Sequence, residues 1–146
     1  KRKTMKRKTM KQRIPKKYTQ RLSRKDKKKQ LRSIQKAILS YKRGIYVDRP
    51  KLKSYQQKKS QWVTKFEKKY GSDCKTYTDI SKKTGIPVKA LQAVVKKGKG
   101  AYYSSGSRPN QTATSWGKAR MYSYIMGGPT RKYDQHITDT YKVQLP

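Results

Sequence analysis

The stretch Thr78-Asp-Ile-Ser-Lys-Lys-Thr-Gly-Ile-Pro-Val-Lys-Ala-Leu91 decides the fold, because it contains the signals for two adjoining helices. Thr78 is a candidate N-cap for a short helix that ends at Thr84, and Gly85 supplies the turn. Pro87 suits the first position of a second helix. That helix, which we expect to run to about Lys97, has an apolar face made of Val88, Leu91, Val94 and Val95. The stretch therefore predicts a pair of helices that is similar to a helix-turn-helix.

Two functions are compatible with this helical pair. As a nucleic-acid reader, it would direct Lys89, Gln92 and Lys96 toward a DNA groove. As a plain packing element, it would only bury its apolar faces. Helix–glycine–helix units are common in proteins that do not bind nucleic acid, so the packing interpretation is favoured.

On the N-terminal side of this pair, the sequence predicts two further helices. The first runs from about Ser23 to Arg43, with Ser23 and Asp26 as a start similar to a capping box and Gly44 as the stop. Its apolar stripe is narrow and consists of Leu31, Ile34 and Ile38. The second runs from about Ser60 to Tyr70 and carries Trp62, Val63, Phe66 and Tyr70 on one face. We expect Trp62 and Phe66 to be core anchors, with contact to a partner as the alternative.

On the C-terminal side, a last helix is expected to start at Thr114 or Ser115 and to end at Met126. One face would carry Trp116, Ala119, Ser123 and Met126, with Tyr122 and Ile125 adjoining it. Gly127-Gly128-Pro129 stops the helix, and a short turn and an extended tail are predicted beyond it. We expect Asp134 and His136 to fix that turn by hydrogen bonds.

Charge dominates the composition. The chain has 146 residues, with 41 Lys and Arg against 7 Asp and Glu, which gives a formal net charge of +34. Residues 1–59 contain 25 of these basic residues and two acids, so they carry +23 of the total and few large apolar side chains. Such a segment buries too little apolar surface to offset its ordering entropy, and we expect it to be disordered in isolation.

The sequence therefore predicts a mainly α protein: a small helical domain with a helix-turn-helix-like pair and a long, extended polybasic N-terminal arm. The expected parts are the arm (1–22), a basic helix and connector (23–59), the helical domain with a Gly/Tyr/Ser loop at 98–112 (60–137), and an extended tail (138–146). The first residue is Lys1 rather than Met, so we expect a processed or trimmed chain.

The arm begins with the tandem repeat Lys-Arg-Lys-Thr-Met and is a candidate partner-binding or anion-binding segment. It could bind phosphates or act as a nuclear-localisation signal, or it could lie on an acidic protein surface. The candidate cations of the arm are Lys1, Arg2, Lys3, Lys6, Arg7, Lys8, Lys11 and Arg13.

The segment Gly98–Arg108 is a second candidate site. Its three glycines permit close approach, and the backbone with Lys97, Lys99, Arg108 and Arg120 could bind a phosphate or carboxylate. Tyr102 and Tyr103 could stack on bases. The favoured alternative is a rigid connector whose tyrosines pack on Trp116. Together, the aromatic candidates for docking or for the core are Trp62, Phe66, Tyr102, Tyr103 and Trp116.

Catalytic and metal-binding functions have little support. The chain has one histidine, His136, and one cysteine, Cys74, and its seven acids are scattered without a pairing that catalysis or metal binding requires. We therefore expect a non-enzymatic protein with no cofactor, no metal and no small-molecule substrate. No apolar run approaches the length of a membrane span.

Several motifs appear together and in order. They are Lys42-Arg-Gly-Ile-Tyr-Val-Asp-Arg-Pro-Lys-Leu-Lys-Ser54, Thr84-Gly-Ile-Pro-Val-Lys-Ala-Leu91, Gly98-Lys-Gly-Ala-Tyr-Tyr-Ser-Ser-Gly-Ser-Arg-Pro-Asn-Gln-Thr112, Ser115-Trp-Gly-Lys-Ala-Arg120, Gly127-Gly128 and Asp134-Gln-His-Ile137. Over about residues 18–137 the chain resembles a domain family of unknown function encoded by large double-stranded DNA viruses of algae and amoebae. It departs from that pattern after Arg120, where Met121-Tyr122 and Gly-Gly-Pro-Thr-Arg replace small residues and a Gly-Gly-Lys-Ala-like run.

The resemblance implies a context rather than an activity. It implies a minor capsid or cement protein of the virion, on the inner face of an icosahedral shell, with the arm bridging capsomers. The expected partners are the major capsid protein and other minor capsid proteins, with viral DNA or anionic lipid head groups as further possibilities. The alternative function is non-specific DNA binding that condenses the genome.

Overall fold

The computed structural model describes residues 14–55 and 60–146 and is mainly helical over them, without a strand in these ranges. A short 3-10 turn, Lys16–Tyr18, precedes seven α-helices. They are α1 (Arg24–Lys42), α2 (Gln61–Tyr70), α3 (Tyr77–Thr84), α4 (Val88–Ser104), α5 (Ala113–Ile125), α6 (Thr130–Tyr133) and α7 (Gln135–Thr140). The predicted mainly α class and the helix-turn-helix-like pair α3–α4 are confirmed. The predicted extended arm falls largely on residues 1–13, which lie outside the described residues.

The described residues divide into two compact units. Unit 1 consists of 14–55 and 103–111, and unit 2 consists of 60–102 and 112–146. The sequence had grouped 98–112 with 60–137, whereas the contacts of 103–111 are with the basic N-terminal segment. The signature segment thus contributes residues to both units.

In unit 1, α1 begins as the sequence predicts, but the hydrogen bonds at its start include Ser54, a residue from outside the helix. Ser23 accepts a hydrogen bond from the Asp26 backbone N–H at 3.2 Å. The Asp26 carboxylate does not return a bond to Ser23; it accepts from the Ser54 hydroxyl at 2.6 Å and from the Ser54 backbone N–H at 3.0 Å. The Ser54 hydroxyl oxygen in turn accepts from the Ser23 backbone N–H at 3.1 Å. Ser54 thereby joins the connector to the start of α1.

The end of α1 is a Schellman motif. The Ile45 backbone N–H donates to the Ser40 carbonyl and the Gly44 N–H donates to the Tyr41 carbonyl, both at 2.9 Å. Gly44 has φ +78°, a left-handed conformation that favours glycine. The chain therefore reverses sharply and places Ile45 beside the last turns of the helix.

Unit 2 contains the main apolar core. The buried residues of this core are Phe66, Cys74, Ile80, Ile86, Ala90, Leu91, Val94, Val95, Met121, Tyr124, Ile125, Ile137 and Val143. Helices α3 and α4 contribute five of them and the turn between the helices contributes Ile86, which is the packing role that the apolar periodicity indicates.

Helices α4 and α5 cross in direct backbone contact at two glycines of the signature. A Cβ atom added at Gly98 would lie 2.6 Å from the Gly117 Cα, and one added at Gly117 would lie 2.6 Å from the Val95 carbonyl oxygen. Both positions therefore exclude any larger residue. The glycines of Gly98-Lys-Gly and Ser-Trp-Gly-Lys are thus explained in part by helix packing.

Several sequence-based boundaries differ from the structure. Thr76, not Thr78, caps α3 by accepting from the Asp79 N–H, and α4 continues to Ser104, so residues 98–104 are helical rather than a loop. The last helix begins one residue earlier than expected, because Thr112 and Ser115 form a reciprocal capping box. Its buried face contains Gly117, Met121, Ser123, Tyr124 and Ile125. Trp116, Ala119 and Met126 are only partly buried, so the predicted face was wrong in register.

The prediction of a turn and an extended tail after Gly128 was wrong for Thr130–Thr140, which form α6 and α7. Arg131, in the run that departs from the family pattern, donates to the carbonyls of Tyr124 and Ile125, both at 2.8 Å. It thereby satisfies backbone acceptors at the end of α5. In the Asp-Gln-His-Ile motif, Asp134 and Ile137 are buried in unit 2, whereas Gln135 and His136 are exposed.

Candidate cationic surface

The solvent-exposed side of α1 is the most strongly charged helical surface among the described residues. Every Lys and Arg side chain of α1 is exposed, and the helix buries only Gln30, Ile34, Ala37 and Ile38. These cations are Arg24, Lys25, Lys27, Lys28, Lys29, Arg32, Lys36 and Lys42. Because the buried face is narrow, α1 presents cations around most of its circumference.

The one acid of α1 does little to offset this charge. Hydrogen bonds from the Ser54 hydroxyl and backbone N–H hold the pKa of Asp26 below its ordinary value of 3.8. The carboxylate is thus ionised at neutral pH, and its Oδ2 atom is engaged by Ser54. A negatively charged group from outside would meet a surface that remains strongly positive.

Unit 1 holds α1 in place through polar contacts to the segment 103–111. The buried Gln30 amide donates to the Tyr18 carbonyl at 3.1 Å and to the Ser107 carbonyl at 3.2 Å. Asn110 forms two hydrogen bonds with the Leu52 backbone, accepting from its N–H at 2.7 Å and donating to its carbonyl at 3.1 Å. Arg49 donates to the Ser107 hydroxyl at 2.6 Å. These bonds order a basic segment that has little apolar surface of its own.

Three tyrosines form a ring cluster at the end of α1. The Tyr41 and Tyr103 rings are nearly parallel with centroids 6.5 Å apart, and the Tyr46 ring lies 5.0 Å from that of Tyr103 and 5.7 Å from that of Tyr41. The Tyr103 hydroxyl donates to Asp48 at 3.4 Å. Tyr103 therefore packs on Tyr41 and Tyr46 within unit 1. The sequence predicted packing on Trp116 and did not predict this cluster.

The cations predicted around the signature are distributed over both units. Lys97, Lys99 and Arg108 are exposed, but Lys97 and Lys99 lie on α4 in unit 2, whereas Arg108 belongs to unit 1. The Lys97 ammonium lies 3.1 Å from His136 Nε2. The predicted cations of the arm, Lys1 to Arg13, lie outside the described residues.

Arg120 has an internal partner. Its Nε donates to Asp134 Oδ2 at 3.0 Å and its Nη2 donates to Oδ1 at 2.8 Å, in a two-bond geometry. Asp134 is fully buried, and the Arg120 side chain is 19% exposed. The guanidinium therefore neutralises a buried carboxylate and joins α5 to the start of α7.

The predicted aromatic residues are not one docking face. Phe66 and Tyr102 are fully buried, which agrees with the expectation that Phe66 is a core anchor. Trp62 is partly buried; its ring lies close to Gly128, and the Lys65 ammonium lies 4.6 Å from its centroid. Trp116 is also partly buried.

On the helical pair, Lys89, Gln92 and Lys96 are exposed on α4. The other face of α4 is apolar and buried. Since α4 has both a packed apolar face and an exposed polar face, the packing interpretation and the nucleic-acid interpretation both stay open for α3–α4.

The remaining chemical candidates are isolated. Burial raises the pKa of the Cys74 thiol, which favours its protonated form. Within residues 14–55 and 60–146, no three His, Cys, Asp or Glu side chains come close enough together to hold a metal ion. No helix in the described part of the chain is long and apolar enough to cross a membrane.

Sequence reasoning named the cations of the arm but not those of α1 as candidate site residues. The signal was present, because an apolar stripe of three residues on a helix of about twenty leaves the other faces basic. The two-bond pairing of Arg120 with Asp134 had no such signal, since the residues are fourteen positions apart and the chain turns between them.

Comparison with known proteins identifies one family. The chain matches the family described as "Family of unknown function (DUF5824)" over residues 15–141. No match was found among curated proteins. No solved structure matches the chain either. Because the matched range covers most of the sequence, this protein belongs to the DUF5824 family of unknown function.

Proposed function

We propose that this protein is a non-enzymatic structural protein that attaches through its cationic surface to anionic surfaces of a larger assembly. The resemblance described above suggests a virion as that assembly. In this role the protein is a minor capsid or cement protein, with the major capsid protein and other minor capsid proteins as its partners. It lies on the inner face of the shell and requires no substrate or cofactor.

The observation that carries this proposal is the exposed cationic surface of α1. Eight basic side chains are exposed on one helix, and the only acid of that helix is engaged by Ser54. A surface of like charges disfavours self-association and favours an acidic partner. Because unit 1 holds α1 through hydrogen bonds to 103–111, the cations are presented on a folded support.

A second candidate function is non-specific DNA binding, and the exposed Lys89, Gln92 and Lys96 of α4 favour it. A basic protein binds DNA weakly in any case, so DNA binding alone does not separate the two functions. They differ in which helix matters. The structural role depends on α1, and a role of the helix-turn-helix-like pair depends on α4.

The first experiment is cross-linking mass spectrometry on intact native particles that contain the protein. The structural role predicts cross-links from Lys25, Lys28 and Lys29 mainly to acidic surfaces of shell proteins, unchanged by nuclease. If these lysines are shielded until the particles are treated with nuclease, the α1 surface lies on nucleic acid and the structural role is wrong.

A matched pair of variants sharpens this test. Lys25→Gln/Lys29→Gln on α1 and Lys89→Gln/Lys96→Gln on α4 remove the same charge from exposed positions. An exposed ion pair contributes about 0.2–1 kcal/mol, so the α1 variant should bind its partner roughly 2- to 30-fold more weakly. The α4 variant should incorporate into particles normally. The reverse result would favour the DNA-binding function.

A further inference from the structure

Three large apolar side chains are exposed close together in sequence at the end of α1. Leu39 is 63% exposed, Ile45 is 54% exposed and Tyr46 is 67% exposed. A single exposed apolar residue on a soluble domain is ordinary, but several on one surface indicate a binding site. This exposure is unexpected in a chain with so few large apolar residues in unit 1.

The local backbone brings Leu39 and Ile45 onto one surface with cations. The Schellman motif returns Ile45 toward α1, and Ile45 and Leu39 line the same shallow depression of about 480 Å³. Arg32, Lys36 and Arg43 line it as well. Residues 32, 36, 39 and 43 follow helical spacing, so the cations lie before and after Leu39 on one stripe of the helix.

Tyr46 belongs to a different side of α1. Its ring packs against the rings of Tyr41 and Tyr103, and positions 39 and 41 lie on opposite sides of a helix. We name Leu39 and Ile45, with Arg32, Lys36 and Arg43, the Leu39 patch. It is a preformed surface with an apolar centre and cations around it.

We propose that the Leu39 patch binds the surface of an anionic lipid bilayer. The cations pair with lipid phosphates or carboxylates, and Leu39 and Ile45 enter the boundary between head groups and acyl chains. This interaction goes beyond attachment to shell proteins, because it assigns a separate partner to the end of α1.

Charge and apolarity together disfavour a second copy of the chain and nucleic acid as the partner. A second copy of the chain is disfavoured because each copy carries +34. Residues 1–13 of the same chain are disfavoured as well, because they contain eight basic residues and no acid. Nucleic acid would complement the cations but would leave Leu39 and Ile45 without an apolar contact. A bilayer with anionic lipids supplies both kinds of contact next to each other.

The test measures binding of the full chain to vesicles of phosphatidylcholine with 30% phosphatidylserine, by co-sedimentation. Duplex DNA and poly-L-glutamate serve as probes that have charge only. The variant Leu39→Ser/Ile45→Ser keeps every cation, and we expect it to bind these vesicles about tenfold more weakly, while its affinity for DNA and poly-L-glutamate is unchanged. Arg32→Gln/Lys36→Gln should weaken vesicle binding by about fivefold for each cation.

Two further variants exclude trivial explanations. Tyr133 is 69% exposed in unit 2, and Tyr133→Ser should leave vesicle binding unchanged. Ile45→Trp should strengthen vesicle binding, without pelleting when vesicles are left out. Unchanged vesicle binding by Leu39→Ser/Ile45→Ser would overturn the proposal, since attachment would then depend on charge alone. An equal loss of binding to DNA or poly-L-glutamate would also overturn it, because the patch would then be a general polyanion site.

Failure here is distinguishable from failure of the proposed function. The attachment to shell proteins is tested by the cross-links of α1 and by Lys25→Gln/Lys29→Gln, and neither measurement changes Leu39 or Ile45. Loss of vesicle binding with normal shell incorporation would therefore contradict neither test of the shell role. Loss of shell incorporation with normal vesicle binding would contradict only the proposed function.

Discussion

Units 1 and 2 are stabilised in different ways. Unit 2 buries thirteen residues in one core, from Phe66 to Val143. Unit 1 buries five apolar side chains: Tyr18, Ile34, Ala37, Ile38 and Leu52. It compensates with hydrogen bonds from Gln30, Asn110 and Arg49, of which those of Gln30 are buried and the others partly buried. The comparison shows how a segment that is too basic to build a large core can still fold.

The two kinds of stabilisation have different consequences for function. Apolar burial contributes about 25 cal/mol per Å² and makes unit 2 tolerant of surface change. A hydrogen bond contributes only about 0.5–1.5 kcal/mol net, so unit 1 depends on each of a few polar residues. Unit 1 nevertheless presents the cations of α1 and the Leu39 patch, so the more weakly supported unit carries the proposed binding surfaces.

The largest expected effect concerns the ion pair between Arg120 and the buried Asp134 in unit 2. Arg120→Ala leaves the fully buried Asp134 carboxylate without its guanidinium partner. We expect a loss of about 3–5 kcal/mol in the free energy of unfolding, measured by urea denaturation. The control Arg120→Met/Asp134→Leu removes both charges and should recover most of the loss. A loss below about 1 kcal/mol for Arg120→Ala would show that Asp134 is not buried as described.

The next effect tests the helix crossing of unit 2. Gly117→Ala adds a Cβ atom 2.6 Å from the Val95 carbonyl oxygen, so α4 and α5 must separate. We expect destabilisation of about 1–3 kcal/mol, although alanine is the better helix former. Lys118→Ala, at the exposed neighbouring position, should change stability by less than about 0.5 kcal/mol. If Gly117→Ala is as stable as the parent chain, the two helices do not pack at the glycines.

An effect of similar size, but confined to unit 1, is expected at Asn110. Asn110 has φ +60° and forms both hydrogen bonds to the Leu52 backbone. Asn110→Ala loses these bonds and places alanine in a left-handed conformation, so we expect a local cost of about 2–4 kcal/mol. Asn110→Gly loses only the bonds and should cost about 1–2 kcal/mol less than alanine. Amide exchange should accelerate at Leu52 and in α1, and unchanged exchange there would contradict the dependence of unit 1 on polar bonds.

The smallest effect is the pH dependence of the α1 cap. Because the folded state lowers the pKa of Asp26, its contribution is present above the ordinary value of 3.8 and is lost as the pH falls through the lowered pKa. The stability advantage of the parent chain over Asp26→Asn should therefore shrink below about pH 3.8. Ser54→Ala should return the Asp26 pKa toward its ordinary value, measured by NMR titration. An Asp26 pKa that does not respond to Ser54→Ala would contradict the role of Ser54.

Local signals in the sequence were sufficient for much of the fold. The starts and stops of α1 and α2 depend on Ser23, Gly44, Ser60 and Gly71, each of which acts within one turn of its own helix. The α3–α4 pair likewise follows from Gly85 and from the spacing of its apolar residues. These parts were predicted because their causes lie within a few residues.

The remaining features depend on contacts between distant segments. Residues 98–104 are helical, although their glycines had predicted a loop. The packing of Gly98 on Gly117 explains one of these glycines. The pairing of Ser107 and Asn110 with Gln30 and Leu52 joins positions 58 to 77 residues apart. For the candidate surface, the charge of α1 was visible in the sequence. The position of Ile45 beside Leu39 and the cations of α1 depends on the Schellman motif at Gly44, which the sequence did not predict in this detail.

Native-state hydrogen exchange on the full chain, read by mass spectrometry, tests the difference between the two units most directly. Because buried polar bonds rather than a large core support unit 1, the amides of Ile34–Ile38 in α1 should open at a lower free energy than those of Leu91–Val95 in α4 and Met121–Ile125 in α5. Equal protection of all three segments would contradict this account, since unit 1 would then be as stable as the apolar unit.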